Sequence, residues 1–355
     1  MAKRRKLKKG PARGLAALIL IAVILGGVYV YQTFFTEEGN ILTRPTRPDP
    51  EPEPELGILD LDSTVRPFAV IINNLGVARP YHSGLQDAYL VYEMIVEGGV
   101  TRFLALFDGR TDTERIGSIR SARHYFIDYA LENDAILVHH GQSPQAASDF
   151  SAFNVNRIVI GGSGNGWRDN NLRISSEHRL FTSMEMMQNS VGNIRTERNR
   201  DYLLNYSIEL IDLSTKDDAQ VADSVEIVYS TALVTSYEFD AEARVYRRYV
   251  NGRPHVDFVT GEQFTVKNII TYQVANTGIG AGRQTLSNIG SGTGYFITNG
   301  HAVPITWEKS SRSGQTIYRF KDGTPLTVND GNTFIQIQPR GQRLSITEIE
   351  NTIYE

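Results

Sequence analysis

Eighteen consecutive residues without a charge, GLAALILIAVILGGVYVY from Gly14 to Tyr31, constrain how any fold of this chain can begin. They follow seven basic residues within the first thirteen (Lys3, Arg4, Arg5, Lys6, Lys8, Lys9, Arg13), with no acid among them. As a helix, Leu15 to Tyr31 would rise about 26 Å, and Gln32 to Phe35 extend it enough to cross a hydrocarbon core of ~30 Å with aromatic residues at its outer boundary. No small-x-small site follows the apolar run, so the reading is an uncleaved signal anchor rather than a removed signal peptide. The basic flank then stays in the cytoplasm. The expectation is a single-pass protein of the cell membrane, held in the bilayer through residues 14–35, with its C-terminal body extracytoplasmic.

The remaining chain carries 29 basic against 40 acidic residues, and an acidic body argues against nucleic acid as a partner. The absence of cysteine excludes disulfides, thiolate metal sites, cysteine nucleophiles and a cysteine-linked lipid. A length of 355 residues suits about two domains with accessories.

Residues 36–60 alternate Pro and Glu, an extended spacer between the anchor (14–35) and the body; residues 1–13 form the basic cytoplasmic tip. The expected fold class is α+β. A mixed α/β domain spans 61–215 and a β-rich, mostly antiparallel domain spans 220–355. RPFAVIINN (66–74) reads as a buried strand, and Tyr89–Gly109 as two strands joined at Gly98-Gly99. A two-residue turn there places Glu93, Glu97 and Arg102 on one face. RHYFIDYALEND is helical in character, AILVHHG is a strand, and Ser143-Pro144 is an N-cap and first position for a further helix. From Val225 onward, short β-branched and aromatic runs are separated by Asn-Gly and Asp-Gly turns.

RPFAVIINN, ARPYHSGLQDAYLVYEMIVEGGVTRFLALF, IGSIRSARHYF and AILVHHGQSP, followed by IGSGTGYFITNGHAVPITWEK and GNTFIQIQP, together resemble the YerB-like lipoproteins, a bacterial envelope family of unassigned function. The resemblance covers about residues 60–340. It implies an envelope location and a two-part fold, and no reaction. The lipidated cysteine implied by the family name is missing, which favours a protein anchor.

The stretch GSIRSARHYF (117–126) carries the strongest site signal. A helix capped by Ser118 or Ser121 would set free N–H groups and the positive dipole end beside Arg120 and Arg123, a combination that binds phosphate or carboxylate. Arg102, Glu93, Glu97, Asn73 and Asn74 are expected nearby. His139 and His140 lie at a strand end, where ligands gather in open α/β sheets. His178 joins the candidates for the anion site. No HxxxH or HExxH spacing supports a metal, and no cofactor is expected. GGSGNG (161–166) matches no phosphate-loop pattern. Arg244, Arg247 and Arg248 read as a solvated strand face, and Trp307 as packed in the sheet.

These residues suggest a protein that binds an anionic envelope component, such as a wall polymer or a polyprenyl-linked precursor. One alternative is a phosphotransferase or hydrolase acting on a lipid-linked wall precursor, with Asp87 and a divalent metal beside the arginines. This rests on a loose outline likeness to the wall-polymer ligases of the LytR–CpsA–Psr type. The other is a scaffold for wall-synthesis proteins.

Overall fold

The computed structural model describes residues 12–35, 56–161 and 164–349. The expected basic tip up to residue 11, the spacer up to residue 55, and residues 162 and 163 of the GGSGNG segment lie outside the described residues. The apolar run forms helix α1, Ala12–Phe35. Among the described residues no helix is long and apolar enough to cross a membrane. The part of α1 with described side chains, Leu20 to Gln32, is shorter than the ~20 residues that a span requires, so the expected crossing is not established by the fold.

The chain divides into two units, residues 1–54 and 55–355. The second contains thirteen principal strands: β1 (Phe68–Asn73), β2 (Leu90–Ile95), β3 (Thr101–Phe107), β4 (Ile136–His139), β5 (Arg157–Val159), β6 (Ser224–Ser230), β7 (Leu233–Asp240), β8 (Val245–Val250), β9 (Asn268–Val274), β10 (Gly290–Thr298), β11 (His301–Lys309), β12 (Thr333–Pro339) and β13 (Leu344–Thr347). Its helices are α2 (His124–Glu132), α3 (Pro144–Ala152) and α4 (Met184–Asn189). Ser143 caps α3 as the sequence predicts, its Oγ accepting from the N–H of Ala146 at 3.2 Å.

An 11-stranded mixed sheet runs β11-β10-β9-β12-β2-β3-β1-β4-β5, with short strands added beside β11. β12 pairs in parallel with both β9 and β2, so the segments expected as separate domains, 61–215 and 220–355, share one sheet. On one face, Leu90, Tyr92, Met94 and Leu104 pack against Tyr125, Phe126 and Tyr129 of α2 and Phe150 of α3. On the other, Val91, Ile95 and Phe103 pack against Ile227, Tyr237 and Tyr246 of a second sheet ordered β8-β7-β6-β13. The body is thus mixed α/β with three layers, and its central strands are apolar on both faces because both are covered.

The β2–β3 register corrects the sequence reading. Ile95 opposes Thr101, Met94 opposes Arg102 and Glu93 opposes Phe103, one residue from the expected pairing. The turn has three residues, Glu97-Gly98-Gly99, closed by the N–H of Val96 donating to the Val100 carbonyl at 2.7 Å. Gly98 and Gly99 both have left-handed φ, 73° and 70°. A slip of one residue moves side chains to the opposite face. Arg102 therefore faces the helices, while Glu93 faces the second sheet.

There Glu93 meets Arg248, both with side chains 0% exposed, at 2.8 Å. This corrects the reading of Arg248 as a solvated residue. Arg248 Nε donates to His255 Nδ1 at 3.0 Å, which leaves the proton of His255 on Nε2, 2.8 Å from His82 Nδ1. His82 Nε2 in turn donates to the Asn73 carbonyl. Burial holds both rings neutral, His82 at about 3 and His255 well below its ordinary value. A second buried pair, Lys309 with Glu132 at 2.6 Å, ties the end of α2 to β11.

Trp307 is buried against Tyr272, as the sequence suggests, and the Gly-rich hairpin before it is a close approach. A Cβ on Gly294 would lie 2.2 Å from the Thr271 carbonyl oxygen. Gly294→Ala is expected to destabilise the body by about 1–3 kcal/mol, read as a lower urea midpoint at unchanged slope.

Candidate functional site

Strands β1, β2 and β4 are parallel to one another within the sheet, and their carboxyl ends share one edge. The GSIRSARHYF segment is wedged there. Asn73 N–H donates to the Ser118 carbonyl (2.9 Å), Arg120 N–H to Ile71 (2.9 Å) and His140 N–H to Arg120 (3.1 Å). Ala122 N–H donates to Gly141 (3.0 Å). Backbone bonds to both β1 and the end of β4 fix the path of the segment, so its side chains are presented by a rigid scaffold.

At this edge lies a cleft of about 470 Å3. Six expected residues line it: Asn73, Glu97, Arg102, Arg120, Ser121 and Arg123. Arg283, which the sequence reading missed, lines it too. Arg283 sits in the turn of a small hairpin, 276–286, within a Gly-rich loop without a recognisable motif.

The cap differs from the expected one. Arg123 is the N-cap of α2 and makes no side-chain cap bond; neither Ser118 nor Ser121 caps it. Instead the Ser121 carbonyl accepts from Arg102 Nη1. Arg123 grips Glu97 with two parallel bonds, Nε to Oε1 at 2.6 Å and Nη2 to Oε2 at 2.9 Å. Arg123 is thus paired within the protein rather than left open for a ligand. Burial alone would raise the Glu97 carboxyl, but the Arg123 hydrogen bonds outweigh it and leave it below its ordinary value. Arg120 is held more loosely. Its Nη1 donates to the Glu177 carbonyl at 3.0 Å and lies 3.6 Å from the carboxylate of that residue, which is 61% exposed. Arg102 is only 7% exposed. Burial, then the charges of Arg123 and Arg120, pull its guanidinium down to about 9. Burial is the larger cause, and the neighbouring arginines add to it more than Glu97 offsets.

The other candidates do not line the cleft. Glu93 and Asn74 belong to the buried network, with Asn74 Nδ2 donating to Glu93 Oε1 at 3.1 Å. The expected Glu93–Glu97–Arg102 cluster is therefore split between the two sheet faces. Asp87 accepts from Thr113 Oγ1 at 2.7 Å and lines a different cleft, near Asp112 and Asp257. His139 is fully buried against Phe150, its Nδ1 bonded to the Gly141 carbonyl at 2.8 Å. His140 Nδ1 donates to the Ile160 carbonyl at 2.6 Å, and its Nε2 faces Arg168. His178 stands behind Asn73, whose Nδ2 donates to its Nδ1 at 3.0 Å. Among the described residues no group of three or more His, Asp or Glu is placed to hold a metal ion.

Two family descriptions match the body: "Protein of unknown function (DUF3048) N-terminal domain" over residues 57–202, and the corresponding C-terminal domain over residues 225–335. The Bacillus subtilis (strain 168) protein named "Putative lipoprotein YerB" is 31% identical over 294 residues, 80% of this chain and 85% of that protein. A crystal structure of YerB protein from Bacillus subtilis is similar, with a TM-score of 0.68 and 27% identity, over 79% of this chain and 94% of that one.

Proposed function

Because the chain belongs to the DUF3048 family, the family of the YerB lipoprotein, and presents an arginine-lined cleft, we propose that it is a membrane-associated envelope protein whose body binds an anionic envelope component. One observation carries the reading: four guanidiniums and a single carboxylate line one cleft at the carboxyl ends of the sheet strands. Arg102 and Arg120 line it and donate to the protein through Nη1 alone, while Glu97 is already bound to Arg123. Phosphate and carboxylate both suit such donors. The ligand would be part of a wall polymer or a polyprenyl-linked precursor.

Geometry favours binding over bond breaking. The titratable side chains lining the cleft are guanidiniums and Glu97, and the pairing of Glu97 keeps it ionised rather than a proton donor. Asp87, required by the phosphotransfer alternative, lines another cleft. No observation favours the scaffold reading. A titration with inorganic pyrophosphate tests the proposal: Arg120→Ala is expected to weaken binding about tenfold, the loss of one charge-assisted contact. Unchanged affinity would remove Arg120 from the site.

Helix α1 would anchor the protein as a single membrane pass with the body outside the cytoplasm. These 355 residues offer no cysteine for a lipid. The full chain is expected to stay in the membrane pellet after an alkaline carbonate wash, and a chain lacking residues 1–35 to leave it. Release of the full chain by the wash would contradict the anchor.

A further inference from the structure

We propose that the group held in this cleft is a terminal phosphoryl group, a phosphate monoester or a diphosphate, rather than a carboxylate or a phosphodiester link. The inference rests on the anion-site reading above and comes from counting donors. Arg123 is spent on Glu97, both of whose oxygens it occupies. The other three guanidiniums are not. Arg102 donates only through Nη1, to the Ser121 carbonyl. Arg120 is engaged through Nη1 alone, by the carbonyl of Glu177 and, at 3.6 Å, by its exposed carboxylate, and its Nε is buried with no hydrogen-bond partner. Arg283 has no ion-pair or side-chain hydrogen-bond partner among the described residues, and its Nε is buried as well.

Three guanidinium forks exceed what a carboxylate can accept, since two oxygens with about four lone-pair sites satisfy two forks at most. A phosphodiester also has two terminal oxygens, and one charge. A phosphate monoester offers three strong acceptor oxygens and a charge near −2. That matches three open forks, and a diphosphate offers more acceptors still.

The hairpin that carries the third fork is held in place. The hairpin that carries Arg283 is fastened to the cleft wall by Gln284 Nε2, which donates to the Val96 carbonyl at 2.8 Å, and by the contact of Thr285 Oγ1 with His124 Nε2 at 2.8 Å. The β-rich half of the chain thus brings Arg283 to the same cleft as the arginines of the first half. A fastened backbone lowers the ordering cost on binding to that of the side chain itself.

Competition titrations on the full chain in detergent test the inference, with inorganic pyrophosphate as reference ligand and methyl phosphate, dimethyl phosphate and citrate as competitors. Methyl phosphate is expected to compete at least tenfold better than dimethyl phosphate and better than citrate, whose higher charge controls for charge alone. Arg283→Ala is expected to erase that preference while the ligand-free protein melts as the parent does. Vesicles carrying phosphatidic acid, a lipid phosphate monoester, are compared with phosphatidylglycerol vesicles. Capture of the body (residues 55–355) by the first alone assigns the monoester to a lipid source; capture by neither, with methyl phosphate bound, assigns it to a soluble one. Equal competition by dimethyl phosphate or citrate overturns the phosphoryl inference and leaves the anion site standing. Failure of every anion to bind overturns both.

Discussion

Arg248→Met is expected to cost about 3–5 kcal/mol of stability, because it strands a buried Glu93 carboxylate without its partner. The loss extends beyond the pair. Arg248 also donates to Tyr237 and His255, and through His255 and His82 the network reaches the Asn73 carbonyl at the cleft edge. Urea unfolding reads the cost. The double variant Glu93→Gln, Arg248→Met is expected to lose less than the two single variants combined, since neither partner is then left charged and alone. Arg247→Met, one residue away on the exposed face, should keep the parent's midpoint. A midpoint for Arg248→Met equal to that of Arg247→Met would contradict the buried pair.

Mild acid is expected to have a comparably large effect. Burial depresses His139 to about 4 and His82 to about 3, and holds His255 well below its ordinary value. A depressed histidine favours the folded state above its unfolded value of about 6.5, and that contribution is lost as pH falls toward the folded value. Each ring gives a slope of about 1.4 kcal/mol per pH unit over that window, so His139 alone amounts to about 3 kcal/mol between pH 6.5 and 4. Asp128 has the opposite sign. Burial raises it to about 6, so its contribution is present below about pH 4 and lost as pH rises through 6. Three histidines outweigh one carboxyl, and the melting temperature is expected to fall steeply from pH 6.5 to 4.5. A flat profile across that window would contradict three neutral buried rings.

Local signals in the sequence were reliable where they rest on local physics. Ser143-Pro144 starts α3, and the apolar run before Asn73-Asn74 is β1, because capping and burial act over a few residues. The register of β2 and β3 was not legible. Gly98-Gly99 suits a two-residue turn, yet Glu97 joins them in a three-residue one, and that residue decides which face Arg102 takes. Arg248 was misread for a different reason. It looks like Arg247 in sequence, and its partner Glu93 lies 155 residues away on the first half of the chain. Only the stacking of the second sheet on the first distinguishes the two arginines. In the cleft, the arginines of one contiguous segment were visible together with Arg102, Glu97 and Asn73. Arg283 was not, because a single cation in a loop carries no pattern until the fold brings the hairpin to the cleft. His139, His140 and His178 stood out as residue types, but backbone carbonyls and Asn73 occupy them.

The anion site is tested most directly by thermal unfolding of the full chain in detergent, with and without inorganic pyrophosphate, in the parent and in Arg102→Ala, Arg120→Ala. A ligand present at ~100 times its dissociation constant adds about 2.7 kcal/mol to the folded state. A clear rise is expected in the melting temperature of the parent and none in the double variant. A parent that melts at the same temperature with and without the anion, beside a ligand-free double variant that melts far lower, would show that these arginines hold the fold together and that the cleft is not an anion site.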